Sequence, residues 1–172
     1  MAWLLSRQCQ RLWKMRIDNE PEQIIKTYSD MVYRLAFART GTKEDADEVY
    51  QDVFLRLIKK RPVFESEEHC KAWLLRVTIN CSNTWLTSLW KKRTVVLDEN
   101  LPFQEKESIE LYGELAKLPQ KYRDVIHLFY YEELSVAEIS QILHRKESTV
   151  RTQLTRARAM LREILEEESY GF

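Results

Sequence analysis

Apolar positions recur at three- and four-residue steps through most of the chain, the spacing that lines one face of an α-helix. Ile24, Ile25, Tyr28, Met31, Val32 and Leu35 make the first stripe, and Gly41 stands where a helix C-terminus favours a left-handed residue. Thr42 fits as the N-cap of a second helix, with acids in its first turn and Ala46, Val49, Val53, Phe54 and Leu57 as its apolar face. Arg61-Pro62 ends that helix, because the proline ring cannot continue it. Ser66, Glu67 and Glu68 open a long third helix carrying Trp73, Leu74, Val77, Cys81, Trp85 and Leu89, which runs out near Lys91-Lys92-Arg93.

Periodicity fades between Thr94 and Glu107 and then returns. Ser108 caps a short helix with Leu111, Leu115 and Leu118; Pro119 breaks it and starts the next, with Tyr122, Val125, Ile126 and Phe129. Ser135-Val136-Ala137-Glu138 is a capping box, in which two side chains satisfy each other's helix-end amides, ahead of Ile139, Ile142 and Leu143. A turn at His144-Arg145 leads to a last helix over 147–167, with Val150, Leu154, Ala157, Leu161 and Leu165 inward. The pattern predicts an all-α fold: a helical domain over 22–93, a flexible linker over 94–107 and a second small helical domain over 108–168.

Composition agrees. Only 3 Gly and 4 Pro occur in 172 residues, too few breakers for an all-β fold, and 44% hydrophobic residues supply the dense apolar content that two small cores require. Residues 1–21 form an extension without a place in this scheme. Its apolar run at Trp3, Leu4 and Leu5 is broken by Arg7 and Gln8, too short for a signal peptide or a membrane span, and Met15 is the expected native start.

The formal net charge is zero, yet the charges are sorted along the chain. Glu44, Asp45, Asp47, Glu48 and Asp52 crowd one segment against Lys43 alone. Arg145, Lys146, Arg151, Arg156, Arg158 and Arg162 face only Glu147 in another. Such blocks point to more than one charged partner, and the neutral total predicts weak binding to DNA by the chain alone. Cys9, Cys70 and Cys81 read as thiols in a reducing cytosol; His69 with Cys70 and Cys81 makes no convincing metal set.

The stretch from Ser135 to Leu161 has the parts of a helix-turn-helix: a short capped helix, a tight turn and a longer basic helix. Ile139, Leu143, Val150 and Leu154 form the seam. Ser148, Thr149, Arg151, Thr152, Gln153 and Thr155 lie on outer faces, followed by Arg156 and Arg158. Short hydroxyls at a helix N-terminus suit phosphate contacts, while Arg151 and Gln153 can reach base edges. An ordinary helical hairpin with a solvated basic face is the competing reading.

These motifs resemble the sigma-70 family of RNA polymerase sigma factors. Leu134 to Leu143, Ser148 to Arg151 and Leu154 to Leu161 resemble the family's fourth region, with Leu118 to Arg123 and Phe129 to Glu132 like the segment before it. The turn departs from the family: His144-Arg145 stands where Gly and an apolar residue are usual. Asp45 to Leu57 resembles the second region, and Ala72 to Leu86 its promoter-melting helix. Order, spacing and the absence of a third domain between the two are those of the extracytoplasmic-function (ECF) subgroup.

The resemblance implies a cytoplasmic, non-enzymatic subunit that binds bacterial RNA polymerase core and promoter DNA, with no cofactor, no metal and no small-molecule substrate. It assigns core binding to Asp45, Asp47, Glu48, Gln51, Asp52 and Leu55. Minus-10 DNA falls to Lys71, Arg76, Asn80, Asn83, Lys91, Lys92 and Arg93. Minus-35 DNA falls to Ser148, Thr149, Arg151, Thr152, Gln153, Thr155, Arg156 and Arg158. An anti-sigma factor is a common partner in the subgroup. Trp73 and Trp85 fit the apolar stripe and are read as core. The alternative is a stand-alone dimeric helix-turn-helix regulator, which leaves the acidic helix without a role. An enzyme is disfavoured: the chain has 3 His, 3 Gly and no glycine loop or nucleophile–base pair.

Overall fold

The computed structural model describes residues 20–90 and 113–169. Of the extension expected over 1–21, residues 1–19 lie outside the described residues, as do the linker over 94–107, the Ser108 cap and the Lys91-Lys92-Arg93 end, while Glu20 and Pro21 form the head of the first helix. Three helices build the first unit: α1 (Pro21–Thr40), α2 (Lys43–Lys60) and α3 (Glu67–Trp90). Each boundary follows from local chemistry. Pro21 opens α1, where its missing N–H costs nothing, and Gly41 closes it at φ 83°, donating its N–H to the Phe37 carbonyl. The Thr42 hydroxyl accepts the Asp45 N–H at 3.3 Å to start α2. Arg61 ends α2 at φ 43°, and the Ser66 hydroxyl accepts the His69 N–H at 3.1 Å at the head of α3.

All three helices pack on one another. Val32 and Leu35 from α1, Val49, Val53 and Leu57 from α2, and Leu74 and Leu75 from α3 are fully buried at the centre. Two polar residues share that interior without strain: Thr78 and Ser82 return their hydroxyls to the carbonyls of Leu74 and Thr78, each at 2.8 Å. Trp73 and Trp85 sit half-buried against this core, Trp73 edge-on to Phe64.

In the second unit, residues 113–117 are helical and bury Leu115, and Leu118 follows them into the core. After Pro119 come α4 (Gln120–Ile126), α5 (Val136–Leu143) and α6 (Glu147–Ser169). The expected helix through Phe129 is corrected in one respect: from His127 to Tyr131 the chain winds as a π-helical turn. The wider turn buries His127 and Leu128 and leaves Tyr130 54% exposed. The capping box forms in full: the Ser135 hydroxyl accepts the Glu138 N–H while a Glu138 oxygen accepts the Ser135 N–H at 2.8 Å. The Ser135 hydroxyl, 2.6 Å from the same carboxylate oxygen, and the Ser135 N–H together hold the Glu138 carboxyl below its ordinary pKa. Ser135→Ala should cost about 1 kcal/mol, read as a lower urea midpoint with an unchanged slope.

The two units also pack against each other, α5 on α3 and α4 on α1. Arg39 of α1 and Asp124 of α4 form a buried ion pair, and Arg39 also donates to Asn83 Oδ1 at 2.6 Å. Arg123 reaches back to the Ala38 carbonyl at 2.8 Å. Periodicity along the chain had placed the units in order without this contact.

Candidate partner-binding and nucleic-acid interfaces

The acidic helix divides its candidate residues between two environments. Asp45 and Asp47 are half-buried. Burial raises the Asp45 carboxyl pKa against the bond from Thr42, and Asp47 lies against Tyr33, whose phenol is pushed up to about 12 by burial and by that carboxylate. Glu48, Gln51, Asp52 and Leu55 are exposed. Glu48 accepts the Trp85 indole N–H at 2.7 Å, and Asp52 pairs with Arg56 at 3.1 Å. Leu55 is 49% exposed, and Ile58 and Val63 beyond it are 44% and 78% exposed. These last two were missed in the sequence; the signal was available, since Ile58 follows Leu55 at helical spacing and lies off the buried stripe. Acids beside exposed aliphatic side chains make a surface for a basic, partly apolar partner.

On α3, Asn80 and Asn83 are exposed, whereas Lys71 and Arg76 turn toward the second unit. The Lys71 ammonium donates to the Glu132 carbonyl at 2.8 Å and lies 3.3 Å from its carboxylate. Burial alone would raise the Glu132 carboxyl pKa; the hydrogen bond and charge from His127 and the Lys71 ammonium outweigh it and hold it below the ordinary 4.5. A carboxyl depressed in the folded state stabilises the fold above its unfolded pKa and loses that contribution as the pH falls through the folded value. Wild type should therefore lose more of its melting temperature than Glu132→Gln on acidification from about pH 5 to about pH 3. Parallel curves would show that Glu132 carries no such linkage.

The helix-turn-helix assembles as its pattern requires. Ile139, Ile142, Val150, Leu154 and Ala157 are buried along the seam and behind it. Ser148, Thr149, Arg151, Thr152, Thr155, Arg156 and Arg158 are exposed on α6. Thr152 and Thr155 return their hydroxyls to the Ser148 and Arg151 carbonyls, and Arg151 pairs with Glu147 at 2.7 Å. Arg158 lies over the Phe129 ring and donates to the Tyr130 hydroxyl at 2.8 Å, so aromatic rings hold its guanidinium.

The turn without glycine is solved by His144, which takes the left-handed conformation at φ 52°. Arg145 then points back across the hairpin and donates to Gln153 Oε1 at 2.9 Å and to the Lys121 carbonyl at 3.3 Å. Gln153 is half-buried beside it, unlike the other candidates on α6. The cation thus replaces an apolar plug by bracing the second helix through hydrogen bonds.

Cys70 and Cys81 are buried thiols, each pushed up to about 11 by burial first. Among the described residues no group of three or more His, Cys, Asp or Glu side chains could hold a metal ion. None of the described helices is long and apolar enough to cross a membrane.

Fold and surfaces together define a class: an all-helical transcription factor with a helix-turn-helix in its second unit and an acid-and-apolar ridge on its first. Comparison with known proteins makes the assignment specific. The sigma-70 region 2 family model matches residues 24–92, and the sigma-70 region 4 model matches residues 101–161. The ECF RNA polymerase sigma factor SigW of Bacillus subtilis is 30% identical over 165 residues, covering 83% of this chain and 87% of SigW. The chain belongs to the sigma-70 family, in its extracytoplasmic-function subgroup.

Two solved structures share the fold. One is the sigma factor RpoE in complex with the anti-sigma factor NepR from Bartonella quintana, with a TM-score of 0.72 at 18% identity over 84% of this chain and 96% of that one. The other is CnrH in complex with the cytosolic domain of CnrY, with a TM-score of 0.65 at 22% identity over 86% and 88%.

Proposed function

We propose that this chain is a cytoplasmic, non-catalytic RNA polymerase sigma factor that brings bacterial core polymerase to promoters. A domain over 22–93 grips core through Glu48, Gln51, Asp52 and Leu55, with Asp45 and Asp47 behind them. The same domain takes the opened minus-10 strand on α3, through Lys71, Arg76, Asn80, Asn83 and the basic end Lys91-Lys92-Arg93. A domain over 108–168 lays α6 in the major groove of the minus-35 duplex, with Ser148, Thr149, Thr152 and Thr155 near phosphates and Arg151 and Gln153 toward base edges. Arg156 and Arg158 extend that basic surface. The segment over 94–107 joins the two and sets the spacing between the two promoter elements.

The observation that carries this reading is the placement of two unlike surfaces on separate units: the ridge of Glu48, Asp52, Leu55 and Ile58 on the first, and the exposed hydroxyls and guanidiniums of α6 on the second. A stand-alone dimeric regulator would leave the first ridge unused. By analogy with the solved relatives, an anti-sigma protein is the expected regulatory partner. Purified chain should co-elute with bacterial core polymerase and support run-off transcription from promoters that core alone ignores; failure to co-elute at any salt concentration would sink the proposal.

A further inference from the structure

The acid-and-apolar ridge of α2 has a counterpart in this chain's own sequence. Glu44, Glu48 and Asp52 are exposed at successive four-residue steps, and Leu55, Ile58 and Val63 lie open to solvent beyond them. Residues 1–17 lie outside the described residues, and their composition is the complement of that ridge. They carry Arg7, Arg11, Lys14 and Arg16 and no acid, together with Trp3, Leu5, Leu12 and Trp13. Arg7, Arg11 and Lys14 follow one another at steps of four and three, the spacing that shares one side of a helix. The sign then reverses on both segments: Asp18 and Glu20 precede α1, while Lys59 and Lys60 end α2.

The fold puts the two within reach. α1 and α2 form an antiparallel hairpin closed at Gly41 and Thr42. Tyr33 lies against Asp47, and Ser29 Oγ is 2.6 Å from the Tyr50 hydroxyl, so each step back along α1 is a step forward along α2. That register sets Pro21 level with the last turn of α2. Asp18-Asn19-Glu20-Pro21 has the composition of a turn, and Glu20 is extended at ψ 122°. A chain that reverses there runs back along α2 from Ile58 toward Glu44. The stretch from Ile58 to Glu48 is about 15 Å of helix, and residues 3–17 span about 22 Å even when wound as one.

From reach and complementarity we infer that residues 3–17 dock on α2 of the same chain and cover the ridge until core polymerase displaces them. The inference rests on the reading of α2 as the core-binding helix and adds a regulator carried in cis. In this docking Lys14 falls near Asp52, Arg11 near Glu48 and Arg7 near Glu44, while Leu12 and Trp13 cover Leu55 and Ile58. The contact can be weak. A tether of a few residues holds the segment at roughly millimolar effective concentration, so a dissociation constant of about 0.1 mM covers about nine chains in ten. The apparent affinity for core then falls about tenfold. Residues 1–14 thereby gain a use, which opposes a native start at Met15.

Two measurements on the full chain test it. Carbodiimide joins an amine to a carboxylate only when they touch, and Lys14 is the only lysine among residues 1–17. Peptide mapping should find Lys14 joined to Asp52, Glu48 or Glu44, within one chain and with a yield that dilution leaves unchanged. No such link overturns the docking; a link between isotope-labelled and unlabelled copies overturns docking in cis. The variant Trp3→Ser, Leu12→Ser, Trp13→Ser keeps every charge and spares the buried stripes. It should lose most of the link and bind bacterial core polymerase about tenfold more tightly, a gain that electrostatics alone does not predict. Arg7→Gln with Arg11→Gln should act in the same direction. A lost link with unchanged core affinity overturns the covering of the ridge, and a natural protein whose first peptide begins at Met15 overturns the regulator. The link needs no polymerase: if no version of the chain bound core, the core-binding reading would fall, and the docking would be judged on the link alone.

Discussion

A chain carrying Asp52→Lys and Leu55→Asp should fail to co-elute with bacterial core polymerase while melting at the wild-type temperature. Both residues are exposed on α2; Asp52 pairs at the surface with Arg56, an interaction worth at most about 1 kcal/mol, and also shares a hydrogen bond with the Cys81 thiol. Leu55 leaves no cavity when replaced, because half of it already faces water. The binding cost has two physical parts. Lys at position 52 reverses the charge that steers a basic partner, which slows association. Asp at position 55 puts a carboxylate at the apolar centre of the ridge, between Asp52 and the exposed Ile58. A central contact of this kind is worth about 2–4 kcal/mol, or a loss of about thirtyfold to a thousandfold in affinity. Gel filtration at several salt concentrations and run-off transcription check it; wild-type co-elution by the double variant would remove α2 from the core interface.

The second large effect is expected from Leu154→Ala. Leu154 is 3% exposed where α5 crosses α6, packed in one cluster with Ile139, Ile142, Val150 and Ala157. Deleting most of a buried leucine costs about 2–5 kcal/mol in lost burial plus the cavity left behind. A unit of roughly sixty residues holds only about 3–9 kcal/mol in all. Most of the stability of the second unit is therefore at stake, and the hairpin should unfold in part at physiological temperature. Urea unfolding should show an early transition for the second unit, and promoter-dependent transcription should fall with it. A change under about 0.5 kcal/mol would mean that the seam relaxes around the gap and that Leu154 is not its keystone.

Much of this molecule was legible before any coordinates. Gly41, Thr42, Arg61-Pro62, Ser66, Pro119 and the Ser135–Glu138 box act within a turn of themselves, and each stands at the boundary it marks. The buried stripes followed from helical spacing, since one face of each helix must leave water. The hydroxyls and guanidiniums of α6 were likewise read as outward-facing, and those named are exposed; Gln153, read the same way, is half-buried.

Other features were not legible, for a common reason: they depend on what a side chain meets from far along the chain. Arg39 and Asp124 are separated by 85 positions, and neither looks like a buried residue in its own helix. Lys71 and Arg76 read equally well as phosphate ligands or as caps for the helix ends they actually touch. The His144-Arg145 turn looked like a defect until Arg145 was seen to hold Gln153 and the Lys121 carbonyl. The π-helical turn leaves no signature in a 3.6-residue pattern, because one extra residue per turn shifts phase only locally.

The sequence by itself determined the helices, their ends, the two-part order and the family to which the chain belongs, because caps, breakers and apolar periodicity are short-range. Only the tertiary structure decided how the two parts face each other and which cations are engaged by the other unit. Burial and pairing of charge are properties of a contact between surfaces, and a contact spanning 85 residues is written in no single segment.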